Sequence, residues 1–250
     1  MDARIQQSVV VNLSRRPAPV EVGPFVIGLD PTTTSPYVNY ATPRPGAAVT
    51  AADVTALVAA FHAADRKPRL EYVTSCAPDL EALLTAAGFT VEARHTYLVC
   101  VPSMLASPTV PDHLSLREPG TDSQRAALIS AQNEAFGGSP VASAADVARL
   151  RRQQDAGGVV VTAVTEDGGC AGGGGAAAPV GAVSEVAGIA VRAPYRRRGL
   201  ASAITADVTR RLFDAGAEVA WLEAGGEDSW RVYQRVGYRP AGQRLYLAID

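Results

Sequence analysis

The segment Gly188 to Ala203, GIAVRAPYRRRGLASA, constrains this chain more than any other. An apolar run ends at Val191-Arg192, Pro194 forbids its continuation, and Gly199 opens a stretch with helical periodicity. Arg196, Arg197 and Arg198 fill the turn between them. The first N–H groups of a helix have no intrahelical acceptor, and the helix dipole adds partial positive charge there. Gly199 keeps a Cβ out of the approach, Ala201 keeps the same surface low, and guanidinium forks suit phosphate oxygens. The junction therefore reads as an anion cradle, with a diphosphate as its natural occupant. The R-x-x-G-x-A spacing of Arg196, Gly199 and Ala201 is weak alone, because about one chance match is expected from the composition. Its place between a strand and a helix separates it from an arginine-rich surface turn. No dinucleotide fingerprint G-x-G-x-x-G follows a strand, and no G-x-x-x-x-G-K-[ST] loop occurs.

With 250 residues, the chain can form one large domain or two ordinary ones. Two blocks are expected on either side of a proline-rich linker, Pro102 to Asp112. In the first block, strands are predicted at Phe25 to Leu29, Tyr37 to Ala41 and Leu70 to Val73, helices at Ala51 to Ala64 and Pro78 to Ala87, and extended chain from Phe89 to Val101. In the second, a strand at Leu114 to Arg117 precedes helices at Asp122 to Phe136 and Ala144 to Gln154. The β-branched run Val159 to Thr165 is a strand. The Gly/Ala tract up to Ala178 suits a loop or a strand with small side chains; the strand is preferred because it gives Val183 to Val191 an antiparallel partner. A helix from Gly199 to Phe213, a strand at Val219 to Glu223, a helix at Asp228 to Val236 and a final strand pair from Tyr238 to Ile249 complete the block. The blocks share an element order, and LEALLTAAGF and RVYQRVGY both end a helix at Gly and leave through an aromatic. A degenerate tandem repeat follows, with domains at 1–105 and 112–250.

The net charge of −2 gives no reason to expect a nucleic-acid partner or a membrane surface. Lys67 is the only lysine, and the abundance of Arg, Ala and Gly points to GC-rich, bacterial coding. Cys76, Cys100 and Cys170 lack C-x-x-C spacing, and His62, His95 and His113 are dispersed, so neither a disulfide framework nor a metal site is expected. Met1 to Val20 has no continuous apolar core, and Gly168 to Ser184 is too short and too weakly apolar to span a bilayer. A cytoplasmic location is expected.

The motif VRAPYRRRGLA resembles the acyl-CoA pyrophosphate loop of the GNAT N-acetyltransferases. Trp221-Leu222-Glu223-Ala224 resembles that family's next strand, and Trp230 to Tyr238 its helix ending in Y-x-x-x-G-F. The resemblance covers Leu114 to Ile249. It implies an α/β fold with a mixed sheet, built here from two GNAT-like domains of which the first is incomplete and non-catalytic. It also implies transfer of an acetyl or other short acyl group from acetyl-CoA to a primary amine. The backbone of Arg197, Gly199, Leu200, Ala201 and Ser202 would bind the pyrophosphate, with Arg196 and Arg198 as charged supports. Ile189, Ala190 and Val191 would pair with the pantetheine arm. Tyr233 would protonate the departing thiolate, although a core aromatic on an amphipathic helix would have the same pattern. Glu185 leads as general base, with Glu223 or a water chain as alternatives. One departure concerns Gly226, where family members often carry Asn; it keeps open a non-catalytic acetyl-CoA sensor as the alternative function. The first block has TPRPGAAV in place of the loop and Leu84 in place of the tyrosine, and gives Tyr37, Tyr40 and Glu71 no role. The acceptor stays open among small amines, aminoglycosides, amino acids and peptide N-termini, and a monomer or a homodimer fits equally.

Overall fold

The computed structural model describes residues 1–250, which divide into two compact units, 1–97 with 241–250, and 98–240. No helix is long and apolar enough to cross a membrane.

The first unit begins with α1 (Asp2–Ser14), followed by β1 (Val20–Val22), β2 (Phe25–Gly28), β3 (Tyr40–Pro43), α2 (Ala51–Ala63), β4 (Arg69–Val73), α3 (Leu80–Ala86) and β5 (Thr90–Cys100). The helix α1 was not legible in the sequence. Its run of three valines is a poor intrinsic helix former, so packing decides its state: Ile5, Val9, Val10 and Leu13 are buried. Gln6 is buried as well and stitches α1 to the sheet. Its Nε2 donates to Thr42 Oγ1 and the Pro43 carbonyl, both at 2.7 Å, and its Oε1 accepts from Val73 N at 2.8 Å. Helix α2 starts at a Thr50/Asp53 capping box; of the periodic apolar positions Val54, Leu57, Val58 and Phe61 it buries all but Val58, which is half-buried.

The second unit runs through β6 (Leu114–Arg117), α4 (Asp122–Ala135), α5 (Ala144–Asp155), β7 (Val159–Thr165), β8 (Cys170–Ala176), β9 (Val183–Val191), α6 (Leu200–Asp214), β10 (Val219–Glu223) and α7 (Glu227–Val236). Strands β6 to β9 form an antiparallel meander, and β10 joins β9 in parallel. The Gly/Ala tract is the strand β8, as preferred from the sequence. Its glycines let neighbouring layers close in: a Cβ at Gly173 would overlap Leu128 Cδ1, and one at Gly174 would overlap Ile189 Cδ1. The core on one sheet face joins Val161, Ala163, Val186, Ile204, Val208, Leu212, Ala220 and Leu222. On the other face, α4 packs Leu128 and Ala131 with Val160.

A single last strand, β11 (Arg239–Ala248), replaces the strand pair expected at the C-terminus. It lies between β4 and β5, antiparallel to β4 from Arg244↔Val73 to Ala248↔Arg69. The structural units therefore differ from a division in the 102–112 linker: residues 241–250 complete the sheet of the first unit. No local pattern encodes that partner choice; the burial of Leu245 and Leu247 with Leu70, Tyr72 and Phe61 makes it. The two halves repeat the order β-α-β-α-β, as β3-α2-β4-α3-β5 and β9-α6-β10-α7-β11, and in both the first two strands are parallel.

Candidate active site

The arginine turn lies between β9 and α6. A 3-10 turn at Ala193–Tyr195 closes the strand, and Arg196 returns to extended backbone. Arg197 and Gly199 both take left-handed backbone, with φ of +62° and +82°. Left-handed conformation costs a non-glycine residue about 1–2 kcal/mol, and such strain is characteristic of ligand-binding turns. Gly199 is the N-cap of α6 and supplies no side-chain cap. None of the N–H groups from Arg197 to Ser202 donates to a backbone carbonyl. By contrast, α2, α4 and α5 each satisfy their own start through a capping box, Thr50/Asp53, Thr121/Gln124 and Ser143/Asp146. The start of α6 is thus a set of unengaged donors at the positive end of a 15-residue helix.

The three arginines have different jobs. Arg196 is anchored: its Nε donates to the Val191 carbonyl at 2.9 Å and its Nη2 to the Ala135 carbonyl at 3.3 Å. It ties the turn to the ends of β9 and α4, so the charged support expected of it is directed at backbone oxygens. Arg197 and Arg198 make no hydrogen bond or ion pair within the chain and remain exposed. Beside them, Arg192 pairs with Glu134 at 3.1 Å and donates to Ser130 Oγ at 3.3 Å.

Strand β9 changes character along its length. It pairs with β10 at Val183↔Val219, Ser184↔Ala220 and Glu185↔Trp221, and the ladder stops there although β9 continues to Val191. On its other edge, Ala187 faces Gly175 and Ala190 faces Gly173, so Gly188 and Ile189 share Gly174 as their only opposite residue. That extra residue is a β-bulge, and Gly188 carries the positive φ of +66° that it requires. Beyond Glu185, the backbone of β9, with Ile189, Ala190 and Val191, has no strand on the β10 side. An extended ligand arm can pair there.

Alternation places Glu185, Trp221 and Glu223 on one face of the parallel pair and Val186, Ala220 and Leu222 on the other. Tyr233 of α7 belongs to the second face, with Val186 and Leu222 in its cluster. Its ring tilts against Tyr238 at 6.3 Å. Burial pushes the Tyr233 phenol up to about 12, and its hydroxyl makes no hydrogen bond within the chain. The two half-buried carboxylates and the phenol therefore lie on opposite faces of the opened strands. Tyr238, by contrast, is a fully engaged core residue, with its hydroxyl 2.7 Å from Thr209 Oγ1. At the start of α7, Ser229 Oγ both accepts from Gly226 N at 3.1 Å and donates to the Gly226 carbonyl at 2.8 Å. This hydroxyl restrains the turn at Gly226, the position where the resembled family often carries Asn.

These features define a mixed-sheet α/β unit with unengaged N–H donors at the start of α6 and, beside them, a stretch of β9 without a partner on the β10 side. Residues 126–238 match the family model described as acetyltransferase (GNAT) family, and this segment is a GNAT domain. Among solved structures, a GCN5-related N-acetyltransferase from Kribbella flavida is 26% identical, with a TM-score of 0.81 over 100% of this chain and 96% of the other. A GCN5-related N-acetyltransferase from Sphaerobacter thermophilus has 16% identity and a TM-score of 0.65 over 97% of this chain and 84% of its own. A tandem GNAT protein from the clavulanic acid biosynthesis pathway shares the fold at 15% identity, with a TM-score of 0.62 over 90% and 77% of the two chains. No match is found among curated proteins. The family places the domain among acyltransferases that act on amines in general.

Proposed function

We propose that the second unit transfers an acyl group, acetyl in the first instance, from acyl-CoA to a primary amine. The observation that carries this reading is the uncapped start of α6, beside the stretch of β9 where the parallel ladder has ended. The N–H groups of Arg197, Arg198, Gly199, Leu200, Ala201 and Ser202 would hold the diphosphate. Arg197 and Arg198 would add charge, and Arg196 would keep the turn in shape. The backbone of Ile189, Ala190 and Val191 would take the pantetheine amides.

The amine nitrogen attacks the thioester carbon, the C–S bond breaks, and the acyl group leaves on nitrogen. Proximity and orientation supply the largest share of such a rate gain. Glu185, with Glu223 as the alternative, removes the ammonium proton from one face, directly or through water. Tyr233 serves the departing sulfur from the other. A phenol held near pKa 12 stays protonated at neutral pH, whereas an ordinary thiol ionises near about 8.5. Tyr233 therefore acts by donating a hydrogen bond to the developing thiolate, with net protonation completed from solvent.

The first unit is proposed to be a degenerate GNAT-like half without a cosubstrate site. Its corresponding helix, α2, already has an anion at its start, since Asp53 accepts from Thr50 N at 2.9 Å. A phosphate would meet that carboxylate rather than free donors. Release of CoA thiol in the presence of acetyl-CoA and a panel of primary amines tests the proposal. Turnover with at least one amine, abolished by Arg198→Glu, is expected; the absence of turnover across diamines, aminoglycosides and amino acids would count against it.

A further inference from the structure

We propose that Gln132 is a positioning residue for the acyl group, because its side-chain amide clamps the carbonyl of the Gly188 bulge. The inference rests on the acyltransferase reading of the same site. Gln132 lies in the last two turns of α4, and its Nε2 donates to the Gly188 carbonyl at 2.8 Å. This is the one side-chain hydrogen bond made to the bulge. The bulge is otherwise poorly held: its two residues share a single opposite residue on β8 and have no partner on β10. The φ of +66° favours glycine there, and a Cβ would stand 2.7 Å from Gln132 Nε2, so any side chain at this position would push the amide off its carbonyl. Ile189 is seated from the other side, in the space left by the missing side chain of Gly174.

A glycine at a bulge, with a strand on one side only, has several accessible peptide orientations. The clamp selects one of them and with it the direction of the N–H groups that follow on β9. Those N–H groups lie beyond the last paired residue, where the thioester end of an arm running along β9 would come. A donor aimed at a carbonyl oxygen stabilises the charge that develops on attack, and its value depends on being fixed beforehand. Removal of the clamp is therefore expected to leave the diphosphate contacts intact and to loosen the acyl end alone.

The test uses acetyl-CoA labelled with 13C at the thioester carbonyl, bound to the full chain and read by difference infrared spectroscopy. Wild type is expected to bind it and to shift the carbonyl stretch below its value in water. Gln132→Ala is expected to bind within about threefold of wild type while the shift is lost. With any amine that proves a substrate, kcat is expected to fall about 100-fold with little change in KM for acetyl-CoA. Gln132→Glu, which puts an acceptor against the Gly188 carbonyl, is expected to behave alike and covers the case in which the alanine variant fails to fold. An unchanged carbonyl shift and unchanged kcat in the folded variants would overturn the role of Gln132 alone. Failure of wild type to bind acetyl-CoA would overturn the acyltransferase reading itself.

Discussion

Glu185 of β9 and Trp221 of β10 are the last paired residues of the parallel ladder, although β9 runs six residues further, to Val191. The strand's remaining backbone has no partner on that side, and the arginine turn stands at its end. In the proposed mechanism, binding and chemistry are divided along one strand: charge at the turn, pairing along β9, proton handling at the point where the ladder opens.

Removal of the Tyr233 hydroxyl tests the chemical end. Tyr233→Phe keeps the buried ring, so folding and acetyl-CoA affinity should hold while kcat falls about 100-fold. Because the phenol is pushed up to about 12, the pH–rate profile should show no falling limb from Tyr233 below about pH 11. A steady-state pH series with wild type and variant checks both points.

Alkaline stability follows from the same burial. Tyr233 and Tyr72 are both pushed up to about 12, and Tyr238 is raised as well. Each folded pKa exceeds the unfolded value near about 10. Their stabilising contribution is complete below that value and is lost as pH rises through the folded pKa. The buried Cys100 thiol, pushed up to about 11, adds an earlier loss, so urea midpoints should be flat from neutrality to about pH 8, decline gently above that, and fall steeply between about pH 10 and 12. Tyr233→Phe should shallow the fall.

The backbone of the turn can be probed by exchanging its two left-handed residues. Gly199→Ala places a Cβ at φ +82° and should cost about 1–2 kcal/mol. Arg197→Gly relieves the strain at φ +62° and should raise stability by up to about 1 kcal/mol while weakening acetyl-CoA binding. Stability and affinity thus move in opposite directions at position 197. Paired denaturation curves and calorimetric titrations measure the split.

Gly174 tests why β8 is built from glycine. A methyl group there meets Ile189 Cδ1, and relief requires Ile189 or the strand to move. Gly174→Ala should destabilise by about 1–3 kcal/mol. Gly174→Ala combined with Ile189→Val should recover part of the loss, a coupling that a double-mutant cycle resolves.

How far the sequence revealed this molecule depended on the range of the interactions involved. The turn from Arg196 to Gly199, the helix that Gly199 opens and the existence of α7 are local matters, set by Gly conformation, proline and 3.6-residue periodicity, and each was visible. The anchoring of Arg196 was not, because its acceptors are carbonyls at Val191 and Ala135, and only the second is remote in sequence. The bulge at Gly188 was equally hidden: a glycine in a strand signals a bulge or a close approach, and only the partner register shows which. Helix α1 escaped notice because its valines favour strand, and the deciding bonds of Gln6 reach 36 to 67 residues away. The insertion of β11 beside β4 spans the whole chain and has no local signature.

The start of α6 is proposed to hold the diphosphate of an acyl-CoA. Titration of the full chain with acetyl-CoA, followed by thermal unfolding, tests it most directly. A ligand at about one hundred times its dissociation constant contributes about 2.7 kcal/mol, which for a protein of this size raises Tm by roughly 5–10 °C. Wild type is expected to show a rise of that order, and Arg198→Glu to lose it. An unmoved midpoint at millimolar acetyl-CoA, or an equal rise in Arg198→Glu, would contradict it.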